Sequence, residues 1–557
     1  MTGGVPSPTV KPMRQRIRIL PGLLLAFALA APLGAEIQYF EKVELDGASR
    51  FVGRFPLAEK DLKTSDGYAV DLDKAGRLME LSYFRRGRNM PDPLFGASRL
   101  QISQDGDFEV RTWLNSHGLP VAGPDGIARQ RLKKNVDGFY TNFFQYDLSG
   151  NLKADKAGIS AYLWVPDSKG QRSRSLRLDK GGNRTADLNG IWEVSFTYDS
   201  SGNRVRATFL DVQSRPMEGF NGVGGYQWIF DQSGNVVAET RLDKDGRPVV
   251  DADGIGRITW AWDSRGRVLE QAFWDADGRP VPDRYGVAHY VKTYNDDLHL
   301  VRTKNLGVDG QLLLDDRGVA VKREIWYDQT NEREVRTYGL ALNPYYDGLS
   351  ASQKEGEERY LLKDDSRGIA VTRSTYDADG NEIAHKTWNQ DQEPAADGNG
   401  VPVTKRQFNP QGFTTEEAYF GGAGQPVENT DGLASIRREY DDAGNNVRLH
   451  HFGKNGTLKE DPHGVATYLW AYDDHGMRVK QTNLGILAQA KEDDRGVAIY
   501  QWTYDKYGNL AEETHYGIDE KPTEDASGAF ILRFQMAPGG EQKLDARFDK
   551  SGRKLGL

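Results

Sequence analysis

Residues 222–286 carry two successive copies of one pattern, GVGGYQWIFDQSGNVVAETRLDKDGRPVVDAD and GIGRITWAWDSRGRVLEQAFWDADGRPVPDRY, and a third copy opens at Gly286. Three glycines punctuate each copy: one after the first aspartate (Gly234, Gly266), one after the second (Gly246, Gly278) and one that opens the next copy (Gly254, Gly286). The first slot recurs every 32 residues from Gly106 to Gly266 and again from Gly380 to Gly540. The third does the same from Gly126 to Gly318 and from Gly368 to Gly528, with a single step of 50 between the two series. A period sustained over about 15 units makes each copy one supersecondary unit that buries its apolar face against its neighbours.

Inside a unit the apolar periodicity is two, not 3.6. Tyr226, Trp228 and Phe230 alternate with polar or exposed positions, as do Ile258, Trp260 and Trp262, Tyr468, Trp470 and Tyr472, and Tyr500, Trp502 and Tyr504. Alternating aromatic and β-branched residues predict a strand with one buried face. The D-x-x-G-N that follows is turn chemistry, because aspartate accepts backbone N–H groups two residues on and glycine supplies a positive φ. A second strand then runs to an apolar residue eight places past the first glycine, at Leu210, Leu242, Trp274, Leu306, Trp388, Phe420, Phe452, Leu484, Tyr516 and Phe548. That column is expected to be a buried ladder. D-x-D-G-R-P-V closes the unit, with proline ending the pairing. The fold class is therefore all-β: an elongated array or solenoid of about 15 β-hairpin repeats, on the order of 140 Å long at two strands per unit if it does not curl.

Residues 36–69 fit the pattern poorly and are expected to be an N-terminal cap, since terminal repeats need an atypical outer face. The array then divides into 70–343 and 364–557 around an insertion at 344–363. Within the insertion, SASQKEGEERYLLK (Ser350–Lys363) has helix-forming composition, with Ser350 or Ser352 as caps. A surface insertion on a regular array is where a partner touches, so Tyr345, Tyr346, Glu357, Arg359 and Tyr360 are the partner-binding candidates. The competing reading is a tolerated loop.

Residues 1–35 read as a secretory signal peptide: a basic stretch from Lys11 to Arg18, an apolar run from Leu20 to Ala31 and a small-residue site at Leu33-Gly34-Ala35. The apolar run is too short to span a bilayer, so no transmembrane anchor is expected. The chain contains no cysteine, which leaves it without disulfides or thiol chemistry. Its net charge is −9, and removing a leader with four cations leaves 72 − 4 = 68 Lys+Arg against 81 Asp+Glu, or −13. That balance opposes nucleic acid and anionic lipid as partners. Export to the periplasm, the outer surface or the medium is the expectation.

The acidic turns invite calcium. A hand-type loop needs an anionic first position and a glutamate six residues after the glycine, whereas those places hold Arg241 and Ala252 or Phe273 and Arg284. Plain turns are the expectation, with weak surface calcium the alternative and no other cofactor. His450, His451, His463 and His475 occupy different slots of the unit, which argues against a shared metal site. No hydrolase or phosphate-loop motif occurs. Most acids sit at repeated turn positions, while a catalytic carboxylate pair should appear once.

The recurring Tyr-Asp-x-x-Gly-Asn at Tyr198–Asn203, Tyr376–Asn381, Tyr440–Asn445 and Tyr504–Asn509 resembles the YD, or RHS, repeats of bacterial secreted and surface proteins. The resemblance covers residues 70–557, with a longer period than the family's usual repeat. It implies long β-hairpin sheets that can spiral into shells around a cargo, and an association with carbohydrate. The function expected is a secreted, non-catalytic scaffold that binds an extended partner, a cell-envelope polysaccharide or protein. A glycan-active hydrolase using a single carboxylate pair and a structural or assembly component of the envelope are the two alternatives.

Overall fold

The computed structural model describes residues 36–557 apart from 64, 86, 93–95, 124–125, 220, 296–299, 328, 351–357, 443, 474–476, 506–509, 537–541 and 557. The expected leader lies outside them. The described residues form one antiparallel sheet of 35 strands. Strands pair with their neighbours in sequence, as Gly225–Phe230 does with Val236–Leu242, which in turn pairs with Arg257–Trp262, except that Phe51–Leu57, Arg88–Asn89 and Tyr360–Leu362 each pair on one side only. One end of the sheet is the strand Phe51–Leu57 and the other is the two-residue strand Lys554–Leu555; the two ends do not pair, so the ribbon stays open and is not a barrel.

The Tyr-Asp motif acquires a physical role in both its residues. The aspartate closes the turn: Asp199 Oδ1 accepts the amide of Asn203 at 2.8 Å while the Asn203 side chain donates to Oδ2 at 2.9 Å, and Gly202 takes φ +87°, a conformation that costs a side-chain-bearing residue about 1–2 kcal/mol. The tyrosine ties successive hairpins together. Tyr198, Tyr294, Tyr440, Tyr472 and Tyr504 each donate their hydroxyl to the carbonyl 26 residues earlier, at 2.6–3.0 Å. Where the slot holds tryptophan, Trp262 Nε1 makes the same bond to the Val236 carbonyl at 2.7 Å. An aromatic residue with a polar tip is required here because the ring packs on the sheet while its end must meet a backbone acceptor.

The core is not where the sequence places it. The column eight past the first glycine is buried at Leu210 and Leu242 but only half-buried at Trp274, Leu306, Trp388, Phe420, Phe452, Leu484 and Tyr516. The preceding position points to the other face and is buried instead, with Phe209, Phe273, Asn305, Tyr419, His451, Asn483 and His515 all below 9% exposed. A shift of one residue exchanges the two faces of a strand, so the buried column is the neighbouring one. The most uniform burial is the aliphatic residue directly after the third glycine: Ile159, Val223, Val287, Val401, Val465 and Val497 are all 0% exposed. Each such side chain contributes about 1.5–3 kcal/mol by burial. The segment that carries it folds back over the aromatic face, where the buried polar column holds it: Asn305 donates to the Val319 carbonyl at 2.9 Å, Asn483 to that of Val497 at 3.0 Å, and the His451 ring bonds that of Val465 at 3.0 Å.

The opposite face has no second layer over the middle of its strands. Gln227, Ile229, Ala261, Thr293, Lys405, Gln407, Arg437, Glu439, Ala471 and Thr503 are exposed along it.

The array winds on itself. Ser116 Oγ donates to Asp379 Oδ1 at 3.1 Å, His117 Nε2 lies 3.2 Å from Asp379 Oδ2, and Asn115 Nδ2 and Asn151 Nδ2 reach Pro410 O and Met477 Sδ at 3.4 and 3.8 Å. These partners are 262 to 326 residues apart. Turns at the second-glycine edge of an early coil therefore meet turns at the first-glycine edge of a later one. Residues 36–57 make a similar contact at shorter range. Arg54 donates to the Gly234 and Ser233 carbonyls at 3.0 and 2.7 Å, Arg265 Nε to Glu41 Oε2 at 2.8 Å, and the Arg172 amide to the Gly47 carbonyl at 2.9 Å.

Two measurements check this account. Tyr504→Phe removes one inter-hairpin bond, worth about 1 kcal/mol, and leaves the ring in place. Amide exchange in Arg478–Leu484 and Ile499–Tyr504 should rise severalfold while the first half of the array is unchanged, because each unit is stabilised mainly by its neighbours. The second concerns acid. Burial pushes the Asp525 carboxyl up, but bonds from Ser527, Arg495 and the backbone amides of Ala529 and Ser527 outweigh it and bring it down to about 2 from 3.8. A depressed carboxyl stabilises the fold above its unfolded value and loses that contribution as pH falls through the folded one, so the window is pH 4 to 2. Asp525→Asn keeps the turn through Oδ1 and loses the charge. Its melting temperature should start lower at pH 5 and fall by less than that of the wild type as pH drops through the window.

Candidate functional site

The insertion leaves the sheet continuous, since Glu332–Leu342 pairs with Val371–Tyr376 beyond it. Of the described residues in 344–363, Tyr346–Gly348 form one 3-10 turn and Tyr360–Leu362 a short strand against Glu332–Leu342; the stretch 351–357, where the helix was expected, lies outside the described residues, and so does Glu357. The loop is closed at its base by the Asn343 amide donating to the Arg359 carbonyl at 2.8 Å and the Tyr346 amide to the Asn343 carbonyl at 3.1 Å. Tyr345 stands 80% exposed, and Arg359 is exposed beside it. Tyr346 is half-buried, and Tyr360 packs with Leu362 against Ala320, Val321 and Tyr338. Tyr345 and Arg359 are thus presented outward, and Tyr360 anchors the loop. No motif or spacing marks Glu358, which is 3% exposed and lies 2.7 Å from Arg302 on the strand Leu300–Leu306.

Several tryptophan rings are engaged within the sheet. The Trp470 ring has Tyr468 stacked on it at 5.6 Å and 8°, the Arg478 guanidinium 4.6 Å from its centroid, and Nε1 donating to Gln481 at 2.8 Å. Trp502 stacks with Tyr500 at 5.9 Å and 7° and donates to Glu513 at 2.9 Å. Trp164 lies between Phe143 at 5.0 Å and Arg172 at 4.5 Å. Rings arranged in this way stiffen the sheet and leave little open π-face for a sugar.

The acidic turns are likewise self-satisfied. Asp243 Oδ1 accepts the amides of Asp245 and Arg247 at 2.9 and 2.8 Å, and Asp275 Oδ1 those of Asp277 and Arg279 at 2.9 and 2.8 Å. Among the described residues no group of three His, Cys, Asp or Glu is placed to hold a metal ion. His450 bonds Thr467 at 2.8 Å, His451 is buried, and exposed His463 meets Asp494 at 3.0 Å; these three do not converge, and His475 lies outside the described residues.

Two buried glutamates are held as anions. Glu193, 0% exposed, is bonded by Arg174, Arg184 and Ser214, and Glu334, 1% exposed, by Arg336 and Arg373. In both, burial pushes the carboxyl up and the arginine bonds more than reverse it, the opposite of the elevation a glycosidase acid needs. Glu41 is shifted up, by burial, against its bond from Arg265. The neighbouring Asp263 commits one oxygen to the Arg265 and Arg267 amides and the other to the Arg267 side chain at 2.6 Å.

No family description and no curated protein matches the chain. Among solved structures, TcdB2-TccC3 without its hypervariable C-terminal region aligns at 11% identity and TM-score 0.37, over 93% of this chain and 26% of that one. The Photorhabdus luminescens Tc holotoxin pore aligns at 12% identity and TM-score 0.28, over 90% and 28%. A porin-like protein from Bacteroides uniformis does so at 8% identity and TM-score 0.15, over 62% and 89%. The chain spans about a quarter of the length of the toxin-complex chains it aligns to. These likenesses are too remote to carry an argument. What stands is the all-β hairpin array itself, and with it a loose resemblance to YD repeats in the Tyr-Asp turn.

Proposed function

We propose that this chain is an exported, non-catalytic scaffold, and that its wound ribbon of hairpins offers a continuous surface to an extended partner, a cell-envelope polysaccharide or protein. The observation that supports the reading is the single-layer sheet: its turn carboxylates and aromatic rings are used internally, while one face repeats the same exposed geometry every 32 residues. A long, periodic surface suits a long ligand better than a small one. The leader at 1–35 carries the export half of the proposal. Residues 36–69 act as the cap from which the first coil starts, and 344–363 is a second point of contact through Tyr345 and Arg359.

The test is capture by the full chain on a glycan array and from an envelope extract. Tyr345→Ala should weaken capture by about tenfold, the effect of removing an aromatic anchor. Neutralising Glu193 or Glu41 singly should leave any capture intact and reveal no hydrolysis to lose. Turnover of a glycan that one such substitution abolishes would replace this reading with the hydrolase.

A further inference from the structure

We infer that four cations on the uncovered face, Arg323, Arg373, Lys405 and Arg437, form a binding column for a linear carboxylated polysaccharide. The inference rests on the scaffold reading above and names the partner's chemistry.

The four residues occupy one slot, five places after the third glycine, in four consecutive units. The sheet is unbroken across the insertion between the first two, so successive members are two strands apart, about 9.6 Å. The repeat itself does not require charge there. The same slot holds Ser195, Gln227, Thr259 and Val291 in the preceding units and Leu469 and Gln501 in the following ones; further out it holds Arg131 and Arg533, each paired with a carboxylate, Asp105 and Glu512. Four cations in consecutive units occur only in this block, in a protein whose net charge is −9.

Its neighbours add to the positive charge. Arg323 stands directly opposite Arg302 on one side and Arg336 on the other, and Arg373 directly opposite Lys386. Like charges facing each other across a ladder destabilise a sheet, so packing alone would not select them. Carboxylates offset part of this charge: Glu358 pairs with Arg302 at 2.7 Å, Glu334 with Arg336 and Arg373, and Glu416 with Arg437 at 3.1 Å. Lys405 is exposed, and no described carboxylate lies within salt-bridge distance of it.

Three members are also backed by a ring. Arg373 lies 5.8 Å from the centroid of Trp388, Lys405 4.7 Å from that of Phe420, and Arg437 4.7 Å from that of Phe452. Arg373 already donates Nε and one Nη to Glu334, and Arg437 its Nε to Glu416, so the Lys405 ammonium and the remaining guanidinium N–H groups are the donors left for an anion, and a cation resting on a ring loses little freedom on binding one. Guanidinium in particular matches a carboxylate bidentately.

The spacing selects among polyanions. Same-side carboxylates of an extended acidic peptide recur about every 6.8 Å, and phosphates along one strand of a duplex advance about 3.4 Å; neither matches rungs about 9.6 Å apart one for one. In an extended uronan every second sugar returns its carboxylate to the same side, a longer step on a stiffer chain. The acidic remainder of the protein repels any polyanion that does not stay on the column.

The test is affinity electrophoresis of the full chain in gels containing polygalacturonate, a neutral cellulose ether, polyglutamate or oligo(dT). Polygalacturonate should retard the wild type strongly, and less so as salt rises. Lys405→Glu with Arg437→Glu should weaken that retardation at least tenfold, while Arg279→Glu with Lys521→Glu, on exposed turns, should leave it unchanged. Lys405→Gln alone should weaken it severalfold, which keeps the test in force if the double variant misfolds by far-ultraviolet circular dichroism. No retardation by polygalacturonate, retardation indifferent to the column variants, or equal retardation by polyglutamate or oligo(dT) would each overturn the inference. Retardation by the neutral chain that the variants do not change would leave the scaffold reading standing without this column. Indifference to every polysaccharide, with nothing captured from envelope extract, would remove both.

Discussion

A single-layer sheet has nothing to bury its apolar side chains against except its own loops. That constraint governs this molecule. Each unit meets it by folding the segment after its second turn back over one face and pressing one aliphatic residue, such as Val287 or Val465, into full burial. The pressed segment is held by a side chain from the strand beneath it, Asn305 or Asn483 or a histidine in the same place. The core is consequently a line of small, equal contacts. Stability of this kind is close to a sum over units and their interfaces, and no single unit is stable without the next.

The same constraint separates the two faces. The face under the return segments carries tyrosines and tryptophans whose hydroxyl and indole groups reach carbonyls and carboxylates of adjoining strands. Its polar atoms are used internally, and that use specifies the register of one hairpin on the next. The other face is free of that duty. Its exposed middle positions vary from unit to unit, and they hold neutral residues in one block and cations in another. Function on an array of this kind is written where the frame leaves positions unconstrained.

Winding follows from twist. Neighbouring strands rotate by about 20–25° on average, and a ribbon of this length accumulates that rotation until its edges meet. The contacts there are few and polar: Ser116 and His117 on Asp379, Asn115 on a carbonyl. The N-terminal hairpin makes the densest contact, with Arg54, Glu41 and Gly47 all bonded to later turns. The coil is thus set by strand geometry and fastened by its turns, most firmly where it begins.

Much of the frame was legible in the amino-acid order. Glycines in register demanded turns, aromatics at alternate positions demanded strands, and aspartates before the glycines supplied the bonds those turns need, because all three are local effects within a few residues of backbone. The buried column was misread by one position, since the apolar residue eight past the glycine is the conspicuous one while its less hydrophobic neighbour points inward. The fully buried valine sat beside a recognised glycine and was passed over, because a lone aliphatic residue at a turn carries no periodic signal of its own. Glu358 on Arg302, Asp379 under His117 and the cations facing one another across strands were decided by tertiary structure alone. They join residues whose distance along the chain is unrelated to their distance in space, and strand pairing and the accumulated twist of the sheet fix that distance.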